Sequence, residues 1–339
     1  ELAISSNEIF HLPELPKRLV VVGGGYIALE FASIFTGLGA ETTVLYRGDK
    51  ILRGFDEDLR DDLMAAMAKR GVRIVTAATP TAIEPTPTSV QVERTHGPNL
   101  RVVLSNGAHI DADAIMFATG RHPNTANLGL DKAGVTLGRN GEIVVDRRSR
   151  TSVDNIYAVG DVIGFPSLAS TSMEQGRIAA CHAFGAEAHA PPEFFPYGIY
   201  SVPEISTIGM TEEQVREKHI PYETGIARFR ETSRGHIMGL NSGFMKMIFD
   251  LNTRRLLGVH IVGEGATELI HIGQAVLNLD GGLDYFVENT FNYPTLAEAY
   301  KIAALDAFNR MPARETSAVH DLQELAAMAV ERINRAARS

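Results

Sequence analysis

The stretch from Arg18 to Tyr46 constrains the fold more than any other part of the chain. Arg18-Leu19-Val20-Val21-Val22 is short, apolar and β-branched, the pattern of a strand buried on both faces of a parallel sheet. It stops at Gly23-Gly24-Gly25, passes into an apolar stretch of helical period from Tyr26 to Gly37, and resumes as a strand from Glu41 to Tyr46. Strand, glycine turn, helix and second strand within about 30 residues form the unit of a dinucleotide-binding half-fold. The turn fits G-x-G-x-x-A. Gly23 permits the tight turn, Gly25 lets the backbone approach a pyrophosphate, and Ala28 keeps helix and strand close, with Tyr26 and Ile27 between them. A triple glycine alone is often only a loop, so the flanking strand and helix carry the dinucleotide reading.

The end of the second strand selects the dinucleotide. NAD-binding folds usually place Asp or Glu there to accept from the ribose 2′-OH. Here the residues are Leu45-Tyr46-Arg47, with Arg53 six positions on. Two guanidinium groups suit a 2′-phosphate through charge-assisted hydrogen bonds, so NADPH is the expected ligand. The bland alternative is a pair of solvated arginines on a loop that also holds Lys50.

Downstream, residues 56–70 have the spacing of an amphipathic helix, and 72–76 of a short strand. Alternation at Val90, Val92, Val102 and Leu104, with turns at His96-Gly97-Pro98 and Asn106-Gly107, predicts antiparallel hairpins inserted into the α/β unit. Ala114–Ala118 reads as a strand, 135–145 as a hairpin on Asn140-Gly141, Ile156–Val159 as a buried strand and 168–184 as a helix. Ala190-Pro191-Pro192 marks a linker. From about 194 to 310 strands (246–249, 257–262) and apolar helices (267–279, 295–309) give an α+β domain, and Leu322, Leu325, Ala326 and Val330 predict a helical tail. The expected fold is α/β: a Rossmann-like NAD(P)-binding domain with an antiparallel insertion, followed by an α+β domain.

Composition excludes several classes. With 339 residues, 45% hydrophobic and 22% charged, the chain can bury a sizeable core. A net charge of −9 argues against nucleic acid or an anionic membrane as partner. No apolar run approaches the roughly 18 residues of a membrane span. The single cysteine, Cys181, allows no dithiol within these residues and suits a cytoplasmic setting. It reads as a small apolar residue on an Ala-rich helix. Glu268-x-x-His271 shares a helix face but lacks a matching second pair, so no metal is expected.

These residues resemble the flavoprotein pyridine nucleotide-disulfide oxidoreductases. Gly23–Glu30 with Arg47 and Arg53 is similar to the NADPH domain of glutathione reductases. Ala118-Thr119-Gly120-Arg121-His122-Pro123-Asn124 resembles the motif that the family sets beside the pyridine nucleotide, and Tyr157-Ala158-Val159-Gly160-Asp161 its second flavin motif. The resemblance implies that Asp161 hydrogen-bonds the FAD ribitol and that Gly160, beside it, belongs to the FAD site. It implies that Leu168-Ala169-Ser170 starts a helix aimed at the flavin ring. Glu30 would then lie under the nicotinamide site, with Tyr26 as an aromatic gate. The implied domains are a flavin-domain remnant (1–16), an NADPH domain (17–145), a returning flavin segment (146–190), a dimerisation domain (191–311) and a tail (312–339). The opening Glu1–Ser6 reads as the middle of a domain, so a preceding flavin-binding part is expected. Homodimerisation follows from the resemblance.

One departure bears on chemistry. The family's disulfide reductases carry a His before the Pro of their C-terminal motif, where this chain has Tyr293-Pro294-Thr295. A His near its ordinary pKa of about 6.5 can protonate a thiolate leaving group, whereas Tyr, near 10, is a poor acid at neutral pH. Hydride transfer between nicotinamides through flavin needs no such acid. The C-terminal half, including Tyr200–Ser206 and Phe291–Thr295, is similar to soluble pyridine nucleotide transhydrogenases. The expected function is therefore FAD-dependent NAD(P)+ transhydrogenation between NADPH and NAD+. Two alternatives stay open: a glutathione-reductase-like disulfide reductase with its cysteines upstream, and a non-catalytic NADPH-binding dimer module.

Overall fold

The structure, a computed structural model, describes residues 2–86, 99–188 and 194–312. The expected alternation at Val90 and Val92, the His96-Gly97-Pro98 turn, the Pro-rich linker and the helical tail around Leu322–Val330 lie outside these residues.

The opening unit forms as its pattern predicts. Strand β1 (Arg18–Val22) leads through the glycines into helix α1 (Tyr26–Gly37), then β2 (Glu41–Leu45), α2 (Glu57–Lys69) and β3 (Arg73–Val75). An antiparallel trio follows, β4 (Pro80–Pro85), β5 (Leu100–Leu104) and β6 (His109–Ala112), before β7 (Ala114–Phe117) returns to the first sheet. That sheet is parallel, in the order β3-β2-β1-β7, with Val22 opposite Leu45 on one side and Phe117 on the other. The unbroken apolar run of β1 has a direct cause. Leu19 and Val21 pack under the helices with Leu29, Leu59, Leu63 and Met67, while Val20 and Val22 pack under the antiparallel trio with Val102, Leu104 and Ile110. The β5–β6 turn uses Asn106-Gly107, with Gly107 at φ +81° as a tight turn requires. Residue Ile4 adds itself beside β7, exchanging backbone hydrogen bonds with Ile115 and Phe117.

Two expectations between the sheets are corrected. Ile156–Val159 is not a strand: it makes one bridge, Arg150 with Tyr157, flanked by Ala158 N–H to Ser149 O and Thr151 N–H to Ile156 O, and the Ile156 N–H turns back to Val153 O. A buried strand needs a neighbour to complete its ladder, and none of the described strands lies beside it. The 135–145 hairpin likewise reduces to a single bridge, Leu137 with Ile143. A short helix, α3 (Leu130–Ala133), precedes it, and α4 (Ala169–Ala183) follows.

The second sheet is antiparallel. Strands β8 (Tyr197–Ile199) and β9 (Ile205–Gly209) precede α5 (Glu212–Glu217), β10 (Tyr222–Arg228), α6 (Ser233–Met238), β11 (Phe244–Asp250) and β12 (Leu256–Val262). The strand order is β10-β11-β12-β9-β8. Helices α7 (Ala266–Asn278), α8 (Leu283–Glu288) and α9 (Glu298–Phe308) cover one face, where Met245, Met247 and Phe249 meet Phe286 and Tyr300. The opposite face, carrying Ile199, Ile205, Phe244 and Val262, joins the core of the first sheet's helices. The strand period of two therefore sends alternate residues of β11 into different halves of the molecule.

Candidate functional site

At the carboxyl end of the parallel sheet lies a cavity of about 1150 Å³. Its wall includes Gly23, Gly25, Tyr26, Ile27, Arg47, Arg53 and Gly120, which the sequence reading had assigned to a nucleotide site from three separate segments. The three glycines do different things. Gly23 sits at φ +146°, and a Cβ there would lie 2.3 Å from Ala118 O at the end of β7. Gly24 is held clear for the Tyr46 ring, 2.6 Å from where its Cβ would be. Gly25 is exposed, and a Cβ there meets nothing within 4 Å. The neighbouring chain thus demands the first two glycines, while the third opens only onto the cavity. Gly25 also begins α1, with no side chain capping the helix and no acid in its first turn. Free N–H groups and the positive end of the helix dipole face this end of the cavity, which fits an anion such as a pyrophosphate.

Arg47 and Arg53 are exposed and form no ion pair among the described residues. Lys50, from the same loop, is instead tied to Glu57 at 2.6 Å and Asp61 at 2.8 Å. Of the loop's three cations, the two arginines are the ones left facing the cavity. The loop is pinned to the glycine turn by Leu52, whose N–H donates to Gly24 O at 2.7 Å and whose φ is +52°.

Part of the cavity wall is aromatic. Tyr26 meets Tyr197 edge to face at 6.2 Å, and Tyr197 meets Phe55 in the same manner at 5.3 Å. Burial pushes the Tyr26 hydroxyl up and the Tyr197 hydroxyl up to about 12, so both remain protonated donors at neutral pH. Two residues assigned to the site stand back from the cavity wall. Ala28 is fully buried under α1, consistent with close helix packing. Glu30 is half-buried and accepts from the Tyr200 N–H at 2.9 Å; burial raises its carboxyl, with that hydrogen bond working against the rise.

Gly160, at φ +76°, packs against Ser172 of α4, and its N–H donates to Gln175 Oε1 at 2.8 Å. Asp161 is exposed and lies 3.8 Å from Arg121, so the two family-like motifs meet through one ion pair. Leu168 precedes α4, whose first residues, Ala169 and Ser170, are exposed and lack a side-chain cap. Uncapped N–H groups beside Asp161 fit a polar or anionic part of a cofactor. Tyr293 is 73% exposed, and its hydroxyl lies 2.5 Å from Ser233 Oγ.

Sequence reasoning missed Gly24, Tyr46, Phe55, Arg121 and Tyr197 as parts of the cavity. Arg121 lay within a quoted motif. Tyr197 had no local signal, because it reaches the nucleotide side only through packing of the second sheet.

A family model described as pyridine nucleotide-disulphide oxidoreductase matches residues 2–176, and the dimerisation-domain model of the same family matches residues 195–304. The chain belongs to the pyridine nucleotide-disulphide oxidoreductase family. It is 43% identical over 313 residues to the soluble pyridine nucleotide transhydrogenase of Mycobacterium bovis, covering 92% of this chain and 65% of that protein. The protein of the same name from Marinobacter nauticus is 40% identical over 312 residues, covering 91% and 65%. Among solved structures, the HOCl-induced flavoprotein disulfide reductase RclA from Escherichia coli superposes with a TM-score of 0.82 at 29% identity, covering 90% of this chain and 68% of that one. The chain thus spans about 65% of the length of its transhydrogenase relatives. No helix among the described residues is long and apolar enough to cross a membrane.

Proposed function

We propose that this chain serves a FAD-dependent NAD(P)+ transhydrogenase, binding NADPH and NAD+ in turn at the cavity at the carboxyl end of the parallel sheet. The observation that carries the reading is that Arg47 and Arg53, without an ion pair among the described residues, line the same cavity as the exposed Gly25 helix start. Both arginines would hold the 2′-phosphate of NADPH, and the α1 amides its pyrophosphate. Tyr26, Tyr197 and Glu30 would bound the nicotinamide end, the aromatic pair excluding water from the ring. Bound flavin would supply two-electron chemistry, accepting reducing equivalents from one nicotinamide and returning them to another. Gly160, Asp161 and Leu168–Ser170 would hold part of it.

Support for transhydrogenation over disulfide reduction comes from the names of the relatives at 43% and 40% identity and from Tyr293. An exposed tyrosine hydroxyl bonded to Ser233 offers no proton donor matched to a thiolate at neutral pH. The disulfide-reductase reading retains support from the fold likeness to RclA. Homodimerisation is supported by the family's dimerisation-domain match.

The test uses the whole protein loaded with FAD, given NADPH with either an NAD+ analogue or glutathione disulfide. Turnover of the analogue is expected, and Arg47→Ala with Arg53→Ala should raise KM for NADPH while sparing KM for NAD+. Turnover of the disulfide alone overturns the transhydrogenase reading, and equal losses for both nucleotides overturn the arginine assignment.

A further inference from the structure

A second cluster of charge lies away from the cavity, between the two sheets. Lys246 on β11 is 1% exposed and sits on the face turned toward the first sheet. Its ammonium donates to both oxygens of Asp56 at 3.1 Å, to Asp58 at 2.6 Å and to Glu212 at 2.5 Å. Asp56 has no exposed surface. It caps α2 by accepting from Asp58 N–H and also accepts from Glu212 N–H at 3.1 Å, a backbone donor of the second half. Beside it lies His260 of β12, fully buried, with Nε2 3.0 Å from Met210 O. A carbonyl only accepts, so Nε2 carries the hydrogen, and burial holds His260 below its ordinary value and neutral. Lys246 is the cation in contact with Asp56, shared with Asp58 and Glu212.

Asp56 is three residues beyond Arg53. On the near side, Leu52 is fixed to the glycine turn through Gly24 O. On the far side, Phe55 packs on Tyr197 and Asp56 is held by Lys246, both from the second half. Glu57 N–H adds a bond to Glu213 at 3.3 Å. Within the first half the loop is also held by Arg60, which donates to Ile51 O at 2.7 Å and Lys50 O at 2.9 Å, so Arg53 lies between contacts to the first half on its near side and contacts to the second half on its far side.

We propose that Lys246 and Asp56 are positioning residues for nucleotide selection: their clasp fixes the loop that aims Arg53, making preference for the phosphate-bearing dinucleotide depend on the second half of the chain. The proposal rests on the assignment of Arg53 to the 2′-phosphate. A clasp that only joined the two halves would affect both nucleotides alike. A clasp that aims Arg53 affects NADPH alone, and only while Arg53 is present.

The experiment is a double-mutant cycle read by calorimetric titration of NADPH and NADH. Asp56→Asn keeps an acceptor for the helix cap and removes the charge that Lys246 holds. We expect Arg53→Ala and Asp56→Asn each to weaken NADPH binding about tenfold or more, the loss of one charge-assisted contact, with NADH within about twofold of wild type. The double variant should be no worse for NADPH than Arg53→Ala alone. Equal weakening of both nucleotides by Asp56→Asn, or full additivity in the double variant, overturns the positioning role. If Arg53→Ala leaves the preference for NADPH unchanged, the 2′-phosphate assignment itself fails. Lys246→Gln run through the same cycle gives the answer should Asp56→Asn not fold, as judged by circular dichroism.

Discussion

The glycine turn yields a pair of opposite outcomes from the same chemical change. At Gly23, alanine would combine a Gly-only backbone conformation at φ +146° with a Cβ 2.3 Å from Ala118 O. Backbone strain of this kind costs ~1–3 kcal/mol, and forcing an extra methyl into a packed region costs a similar ~1–3 kcal/mol. Gly23→Ala should therefore lose roughly 2–6 kcal/mol, a large share of the ~5–15 kcal/mol by which a domain is stable. At Gly25, the backbone is extended (φ −89°, ψ 178°) and a Cβ meets no protein atom. An alanine there loses some N-cap preference but restricts the unfolded chain, two effects of ~0.5–1 kcal/mol with opposite sign. Stability should change by less than about 1 kcal/mol. Affinity should not be spared, because the new methyl occupies the approach to the α1 amides. Each charge-assisted hydrogen bond so displaced is worth ~1.5–3 kcal/mol, or at least about tenfold in Kd. Urea unfolding followed by circular dichroism, paired with calorimetric titration of NADPH, reads both quantities. A Gly25→Ala protein that binds NADPH within twofold of wild type would refute the pyrophosphate assignment. A Gly23→Ala protein of normal stability would refute the packing argument.

Two further outcomes follow from the cavity and the clasp. Tyr197→Ala removes the ring shared by Tyr26 and Phe55, and should weaken NADPH and NADH binding to a similar degree; an effect confined to NADPH would place Tyr197 at the phosphate end instead. Acid should loosen the junction between the two halves. Burial pushes the Asp56 and Glu212 carboxyls up, but the adjacent His260 as it takes up a proton in acid, the Lys246 charge and hydrogen bonds bring Asp56 below its ordinary value, and hydrogen bonds with the Lys246 charge do the same for Glu212. Below their unfolded values, near 4, the unfolded chain binds more protons than the folded one, so this stabilisation is present above that pH and lost as pH falls through the lower folded values. The urea midpoint should drop between pH 5 and pH 3, and less so in Asp56→Asn; an equal drop in both proteins would acquit Asp56.

The amino-acid sequence alone determined the first half of the site, because that half is local. Strand, glycine turn and helix follow one another within a few residues, and the absence of an acid and presence of Arg47 after β2 can be read in order. Helix α1 runs from Tyr26 to Gly37, as its apolar period predicts, since tertiary packing and local preference agree there. Ile156–Val159 failed for the converse reason: apolar β-branched residues announce a strand, but a ladder exists only where another strand supplies partners. Tertiary structure alone decided what Gly24 is for, which of the loop's cations have no ion pair among the described residues, and that Tyr197 joins the cavity wall. It also decided the fate of Lys246. In sequence it is one charge in an apolar strand. In the fold it is a buried cation between two halves, because β11 turns alternate side chains to opposite faces and one of those faces meets the N-terminus of α2. Charge pairs between residues 190 positions apart leave no local pattern. They arise from packing, and with them the orientation of the arginine loop.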